Sequence, residues 1–304
     1  MSLQSQVVQV VSKNVIKRTG LNQKETVKHL RLVFNNTPNV TFLPRNIRVK
    51  RINEKGFRGE LVSVKSPDFY VLYFHGGAFV GGLTRTYHNF SSRLANQLNA
   101  NVYLATYPFA PEKPFPAAPE RCFDAYQYLL DKGIPSSRIV LAGDSAGGGL
   151  ALSVLLQLKH HGLPMPLCTV GISPATNCVP DHETIESYCN TDNMLSADIV
   201  REVINVFVPN KAMRHHPFAS PINGHYEGLP PLMLTISKDE VLYPDALALR
   251  RKAEAAGVKV KWIERSNVFH VWPILTPFIP EANRDLTRIV AFIKSCNRMN
   301  NSEI

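Results

Sequence analysis

The chain has 304 residues, 44% of them hydrophobic and 19% charged, with a formal net charge of +10. That is apolar material for the core of a single α/β domain spanning 1–304, while no stretch is long or apolar enough to cross a membrane, so stable membrane insertion is excluded. Residues 1–18 are interrupted by Gln, Ser, Lys and Asn and lack a signal peptide's apolar region and cleavage site; the five scattered cysteines (Cys122, Cys168, Cys178, Cys189, Cys296) form no CxxC and read as reduced thiols, so a cytoplasmic protein without a metal site is expected.

Leu3, Val7, Val11 and Val15 recur every four residues, with Val8 and Ile16 beside them, which is an amphipathic helix stripe. A second helix is predicted to begin near Asn22, a capping residue with Glu25 three positions on, and to carry Val27, Leu30, Val33 and Phe34 as its apolar positions. Strands follow near 47–52, 59–64, 70–74, 101–105, 138–142 and 167–172, with helices near 87–98, 118–130 and 146–160. The densest basic run is Arg45, Arg48, Lys50, Arg51, Lys55 and Arg58. It alternates with Ile47, Val49 and Ile52, as on the solvent face of an edge hairpin, and no nucleic-acid motif accompanies it, so no nucleic-acid partner is expected. Proline has no N–H for a ladder, so Ser173-Pro174 ends the sixth strand. Residues 180–228 break the alternation and hold one clear helix, near 197–207. The sheet resumes at 232–236, followed by a helix at 244–256, Gly257 as its C-cap, a strand at 258–263 and a closing helix at 281–295. Strands alternating with helices in this way make an α/β fold, a mostly parallel sheet with helices on both faces.

Gly143-Asp144-Ser145-Ala146-Gly147 joins the strand Arg138-Ile139-Val140-Leu141-Ala142 to the long apolar run from Leu150. A serine on a sharp strand-to-helix turn crowds its neighbours, so the positions two before and two after it must lack bulky side chains, and both are glycine here. The turn lifts the hydroxyl clear of the sheet and sets it at the positive end of a helix, where an oxyanion is stabilised. A second motif, His75-Gly76-Gly77-Ala78-Phe79, follows the strand Val71-Leu72-Tyr73-Phe74. Glycines there let backbone amides approach a substrate oxygen.

With these two motifs the chain resembles the hormone-sensitive-lipase-like carboxylesterases of the α/β-hydrolase fold, whose signatures are HGGG and GDSAGG. The resemblance extends to Tyr107-Pro108-Phe109-Ala110-Pro111-Glu112-Lys113-Pro114-Phe115-Pro116-Ala117-Ala118, to Ser237-Lys238-Asp239-Glu240-Val241-Leu242 and to Asn267-Val268-Phe269-His270-Val271-Trp272. It covers about 70–272. Three positions depart from the pattern: Ala78 stands for the third glycine, Gly149 stands where many relatives carry asparagine, and Asp239 and Glu240 lie side by side where most relatives have one acid. The resemblance implies that segments of about 1–44 and 180–228 form a helical cap.

Ester hydrolysis needs a nucleophile, a base, a group that orients the base, and donors for the oxyanion. Ser145 is the expected nucleophile. Ten histidines compete for the base role. His75 belongs to the oxyanion loop, where a structural hydrogen bond is expected, and the adjacent pairs His160-His161 and His215-His216 suit no metal. His270 follows the last strand and comes after the candidate acids, in the chain order Ser, Asp/Glu, His. The acid is Glu240 or Asp239. Glu240 keeps the family's two-residue spacing to a leucine, Leu242, and is favoured; Asp144 falls outside the chain order. The oxyanion donors are expected at Ala146 and within Gly76, Gly77 and Ala78. Together these imply a serine carboxylesterase for small, short-acyl esters, acting through an acyl-enzyme without cofactor. The alternatives are a ligand-binding receptor on the same fold, which in relatives lacks the histidine, or an amidase, lactonase or deacetylase using the same groups. A homodimer is left open.

Overall fold

A computed structural model of the protein describes residues 1–37 and 40–302. Strands β1 (Arg48–Glu54), β2 (Phe57–Ser63), β3 (Phe69–Phe74), β4 (Ala100–Ala105), β5 (Ile139–Asp144), β6 (Cys168–Ile172), β7 (Leu232–Ser237) and β8 (Val260–Arg265) form one sheet in the order β1-β2-β4-β3-β5-β6-β7-β8. β1 and β2 form the antiparallel edge hairpin, β2 pairs antiparallel with β4, and from β4 to β8 every pairing is parallel. Every residue of β5, β6 and β7 is buried, as a sheet covered on both faces requires.

Alternation along the strands divides the core in two. Leu72 and Phe74 of β3 point to the side packed by α4 (Ala117–Asp131), α5 (Ala146–His160) and α8 (Tyr243–Ala255). Val71 and Tyr73 point to the side packed by α3 (Thr86–Leu98) and α9 (Pro280–Ser302). α5 is buried from Ala146 to Leu158, which is why its sequence is apolar all round. Parallel strands running one way bring the ends of β3, β5, β6 and β7 to the same edge of the sheet, where Phe74 pairs with Gly143 and Gly143 with Gly171. Element ends fall within two residues of the predicted ones except at the end of α9, which lies seven residues beyond the predicted 295. Arg138 lies in a short 3-10 turn before β5.

The helices outside the sheet are α1 (Leu3–Val15), α2 (Gln23–Asn35), α6 (His182–Tyr188) and α7 (Ala197–Phe207). α2 starts with the expected capping box between Asn22 and Glu25. α6 was not predicted. Seven residues show no apolar period, and its one signal was Asp181, whose side chain accepts from the Thr184 amide. α1 forms where the stripe predicts a helix, yet the stripe does not face the protein: Leu3, Val7, Val11 and Val15 are exposed, while Ser5 and Ser12 are buried and Val8 and Ile16 are partly covered. Polar bonds hold the helix instead. The Ser2 amide and hydroxyl donate to Glu281 at 2.7 and 2.8 Å, and Lys17 donates to the carbonyls of Cys189 and Asp192. Among the described residues no helix is long and apolar enough to cross a membrane.

Candidate active site

Ser145 sits between β5 and α5 with φ 52° and ψ −122°, a conformation a non-glycine residue adopts only under constraint. The constraint comes from both sides. Its amide donates to the Ile172 carbonyl at 2.8 Å, and its carbonyl accepts from Gly149 and Ala175. A Cβ on Gly143 would lie 2.3 Å from the Gly147 carbonyl oxygen, and one on Gly147 would lie 2.0 Å from that of Phe74. The sharp turn therefore exists only with glycine at both positions.

His270 follows β8 on a loop and is buried with only 3% of its surface exposed. Its Nε2 lies 2.9 Å from Ser145 Oγ and its Nδ1 lies 2.6 Å from Glu240 Oε2. A carboxylate only accepts, so Nδ1 carries the proton and Nε2 is left to accept from the serine. The other Glu240 oxygen accepts from Ser173 Oγ at 2.8 Å and from the Ser237 amide at 3.0 Å. Burial lowers the His270 pKa, but the charge and hydrogen bond of Glu240 outweigh it, and the net displacement is upward. Asp239 turns away from the histidine. Its carboxylate accepts from the Asn267 amide and from Ser237 Oγ. Of the two adjacent acids, Glu240 alone meets His270.

The 75–80 loop crosses beside Ser145. Gly77, Ala78 and Phe79 all have positive φ, so their amides turn out of line with β3. Gly76 departs from the expected donor role, because its amide donates to Asp144 Oδ1 at 3.0 Å and to the Tyr87 hydroxyl at 2.8 Å. Gly77, Ala78 and Ala146 line the cavities around Ser145. The His75 Nδ1–H donates to the Gly76 carbonyl at 2.7 Å, its ring stacks on Tyr107, and burial pushes its pKa down to about 4, so it is a neutral structural group.

Three further side chains support this site, and only Asp144, inside the Gly-Asp-Ser-Ala-Gly stretch, belongs to a motif. Asp144, buried, accepts from the Tyr73 and Tyr87 hydroxyls, each at 2.9 Å, as well as from Gly76, and burial lifts its pKa to about 6 against those bonds. Ser173 bridges the acid to the histidine loop, donating to Glu240 and accepting from the Val271 amide at 3.3 Å. Asp192 is buried and accepts from Met194, Leu195 and, at 3.0 Å, the Val241 amide next to Glu240. Its pKa is raised by burial and then by Glu240. A serine before a strand-ending proline was the one visible hint, at Ser173. Asp192 lies far from Glu240 in sequence, and only folding joins them.

Two apolar chambers meet at Ser145. The smaller, of about 60 Å³, is walled by Ala78, Phe79 and the α7 residues Ile199, Val203 and Ile204. The larger, of about 160 Å³, is walled by Leu30, Val33 and Phe34 of α2, by Ile16, and by Ile274 and Leu275. α2 is fixed to the 75–80 loop by Arg31, whose Nε donates to the Val80 carbonyl at 2.9 Å and whose Nη2 donates to the Ala110 carbonyl at 3.0 Å. α7 meets the same loop where Phe79 and Phe207 stack, with centroids 3.7 Å apart. Among the described residues no cluster of three His, Cys, Asp or Glu could hold a metal. The arrangement pairs a hydroxyl with a base that can take its proton, in a pocket with mostly apolar walls.

Comparison with known proteins gives the same picture. A family described as alpha/beta hydrolase fold matches residues 71–274. An acetyl-hydrolase of Streptomyces hygroscopicus is 36% identical over 225 residues, covering 74% of this chain and 75% of the relative. An esterase of Acinetobacter venetianus is 31% identical over 255 residues, covering 83% and 84%. The crystal structure of an esterase from the bacterial hormone-sensitive lipase family superposes with a TM-score of 0.87 at 29% identity, covering 98% of this chain and 99% of the other.

Proposed function

The chain belongs to the hormone-sensitive-lipase-like branch of the α/β-hydrolase fold family, and we propose that it is a serine carboxylesterase that hydrolyses small, short-acyl esters through an acyl-enzyme on Ser145. The observation that carries this reading is the unbroken relay from Ser145 through His270 to Glu240, with links of 2.9 and 2.6 Å. Ser145 Oγ bonds to the ester carbonyl carbon as its proton passes to His270 Nε2. Glu240 stabilises the imidazolium and holds the tautomer. The amides of Gly77, Ala78 and Ala146 receive the oxyanion. Collapse breaks the bond to the leaving oxygen, which takes the proton from His270 and departs as the alcohol. A water then gives its proton to His270 and attacks the acyl carbon, and the carboxylic acid leaves as Ser145 regains its proton.

Segments of about 1–44 and 180–228 act as the cap in this reading, since α2 and α7 wall the two chambers and exclude water from the developing charge. The smaller chamber supports a short acyl group. Each methylene gains about 0.8 kcal/mol only while it finds buried surface, and about 60 Å³ walled by residues such as Val203 and Ile204 is filled early. The test is kcat/KM for aryl esters from acetyl to palmitoyl. It should peak among the short chains and fall for the long ones, and Ser145→Ala should lose about 10⁴-fold or more throughout the series. A maximum at palmitoyl would overturn the chain-length assignment.

A further inference from the structure

The exposed apolar side chains of this protein are concentrated in one segment of the chain. Of the twelve large hydrophobic side chains strongly exposed among the described residues, ten lie within 1–43. An eleventh, Phe278, rests against one of those ten, Phe42. Five of the ten lie on α1, where Leu3, Val7, Val10, Val11 and Val15 share one side at 73, 56, 62, 53 and 48% exposure. Scattered exposed apolar residues are ordinary; a contiguous helix face of them marks a surface that something covers. Packing does not require this face, because the opposite side of α1 carries the buried Ser5 and Ser12 and its ends are tied by Ser2 and Lys17.

The charge is concentrated in the same segment. Residues 1–50 contain nine Lys and Arg and a single acid, Glu25, a balance of +8 out of the chain's +10. Lys13 on α1, Arg18 after it, and Lys24 and Lys28 on α2 are exposed, and α1 contains no acidic residue. A helix with a bare apolar side and cations around it lies in the plane of an anionic lipid surface, where both terms act together. A second copy of the chain would bring this positive segment against its own image, which charge opposes.

We propose that the outward face of α1 docks the protein, peripherally and reversibly, on an anionic lipid surface. The placement suits the site, since α1 runs from its anchor on Glu281 to Ile16, which walls the larger chamber, and Phe278 lies three residues from Leu275 on the same wall. If the esterase reading holds, the ester would enter that chamber from the lipid, with an apolar alcohol part. The docking itself does not depend on turnover.

The test is cosedimentation of the full chain with phosphatidylcholine vesicles containing roughly a quarter phosphatidylglycerol, against pure phosphatidylcholine, at low and high salt. Binding should favour the anionic vesicles by about tenfold or more and weaken with salt. Val7→Gln/Val11→Gln should bind at least about tenfold less, while its kcat/KM for a soluble aryl acetate stays at the wild-type value, which reports that it is folded. A Lys13→Gln/Lys24→Gln variant should lose the preference for anionic vesicles in part. Equal binding to both vesicle types, or undiminished binding by the Val7/Val11 variant, would overturn the proposal. So would a wild-type dimer in sedimentation velocity that the same variant dissociates, since a second copy would then cover the face.

Discussion

At the scale of single residues, the proposed chemistry turns on which groups touch His270. Replacing His270 with Ala should lower kcat by about 10³-fold or more, because Ser145 loses the acceptor for its proton. The adjacent acids offer a sharper comparison. Glu240→Gln puts an amide against Nδ1 and removes the charge that favours the imidazolium, so kcat should again fall by about 10³-fold or more. Asp239→Asn alters contacts to the Asn267 amide and to Ser237 Oγ, neither of them to His270, and should stay within a few-fold, as steady-state kinetics on one aryl ester would report. The base must be neutral to accept a proton, and Glu240 raises the His270 pKa above the ordinary 6.5. kcat/KM should therefore fall as pH drops through a midpoint above that value. In the residual activity of Glu240→Gln the midpoint should move to lower pH, because the cause of the elevation is gone. A limb that stays in place would mean that another group sets it.

At the scale of elements, the proposed cap is joined to the 75–80 loop by particular contacts. Arg31 on α2 reaches two carbonyls, Val80 and Ala110, and also pairs with Glu112. Arg31→Ala should lower kcat by about 10- to 100-fold, since a loop displaced by an ångström loses its alignment with the oxyanion. Arg31→Lys should restore little, because one ammonium cannot span two carbonyls. Thermal unfolding should identify both variants as folded, and a kcat within twofold of wild type would contradict this role. Here too lies the division between what the sequence makes legible and what it does not. The sheet and the elbow can be read because Ser145 and Glu240 each follow a fully buried strand with an apolar run, β5 and β7, whereas His270 follows the half-exposed β8 and is marked by its chain order and local motif. Gly76 could not be assigned from its motif, because the bond that engages its amide comes from Asp144, a partner that only folding supplies. α1 was legible as a helix but not in orientation. Its stripe competes with polar anchors at Glu281 and at the 189–192 carbonyls, and nothing local to 3–15 encodes them. Ser173 and Asp192 act on residues 67 and 49 positions away, beyond any periodicity.

At the scale of the whole molecule, the parallel part of one mixed sheet brings four strand ends to a single edge. The turn at Ser145, the 75–80 loop and Glu240 follow β5, β3 and β7 there, and His270 arrives from the loop after β8. The two segments outside the sheet line the chambers at that edge, α2 the larger one and α7 chiefly the smaller. The central claim is that this convergence makes Ser145 a nucleophile, and the most direct measurement is intact-protein mass spectrometry after treatment with an organophosphate, followed by peptide mapping. Wild type should gain one phosphoryl adduct, on the peptide containing Ser145, with activity lost in proportion to labelling; Ser145→Ala should gain none and should be inactive before treatment. Active wild-type protein that remains unlabelled at Ser145, or a Ser145→Ala variant that still turns over ester, would contradict the account.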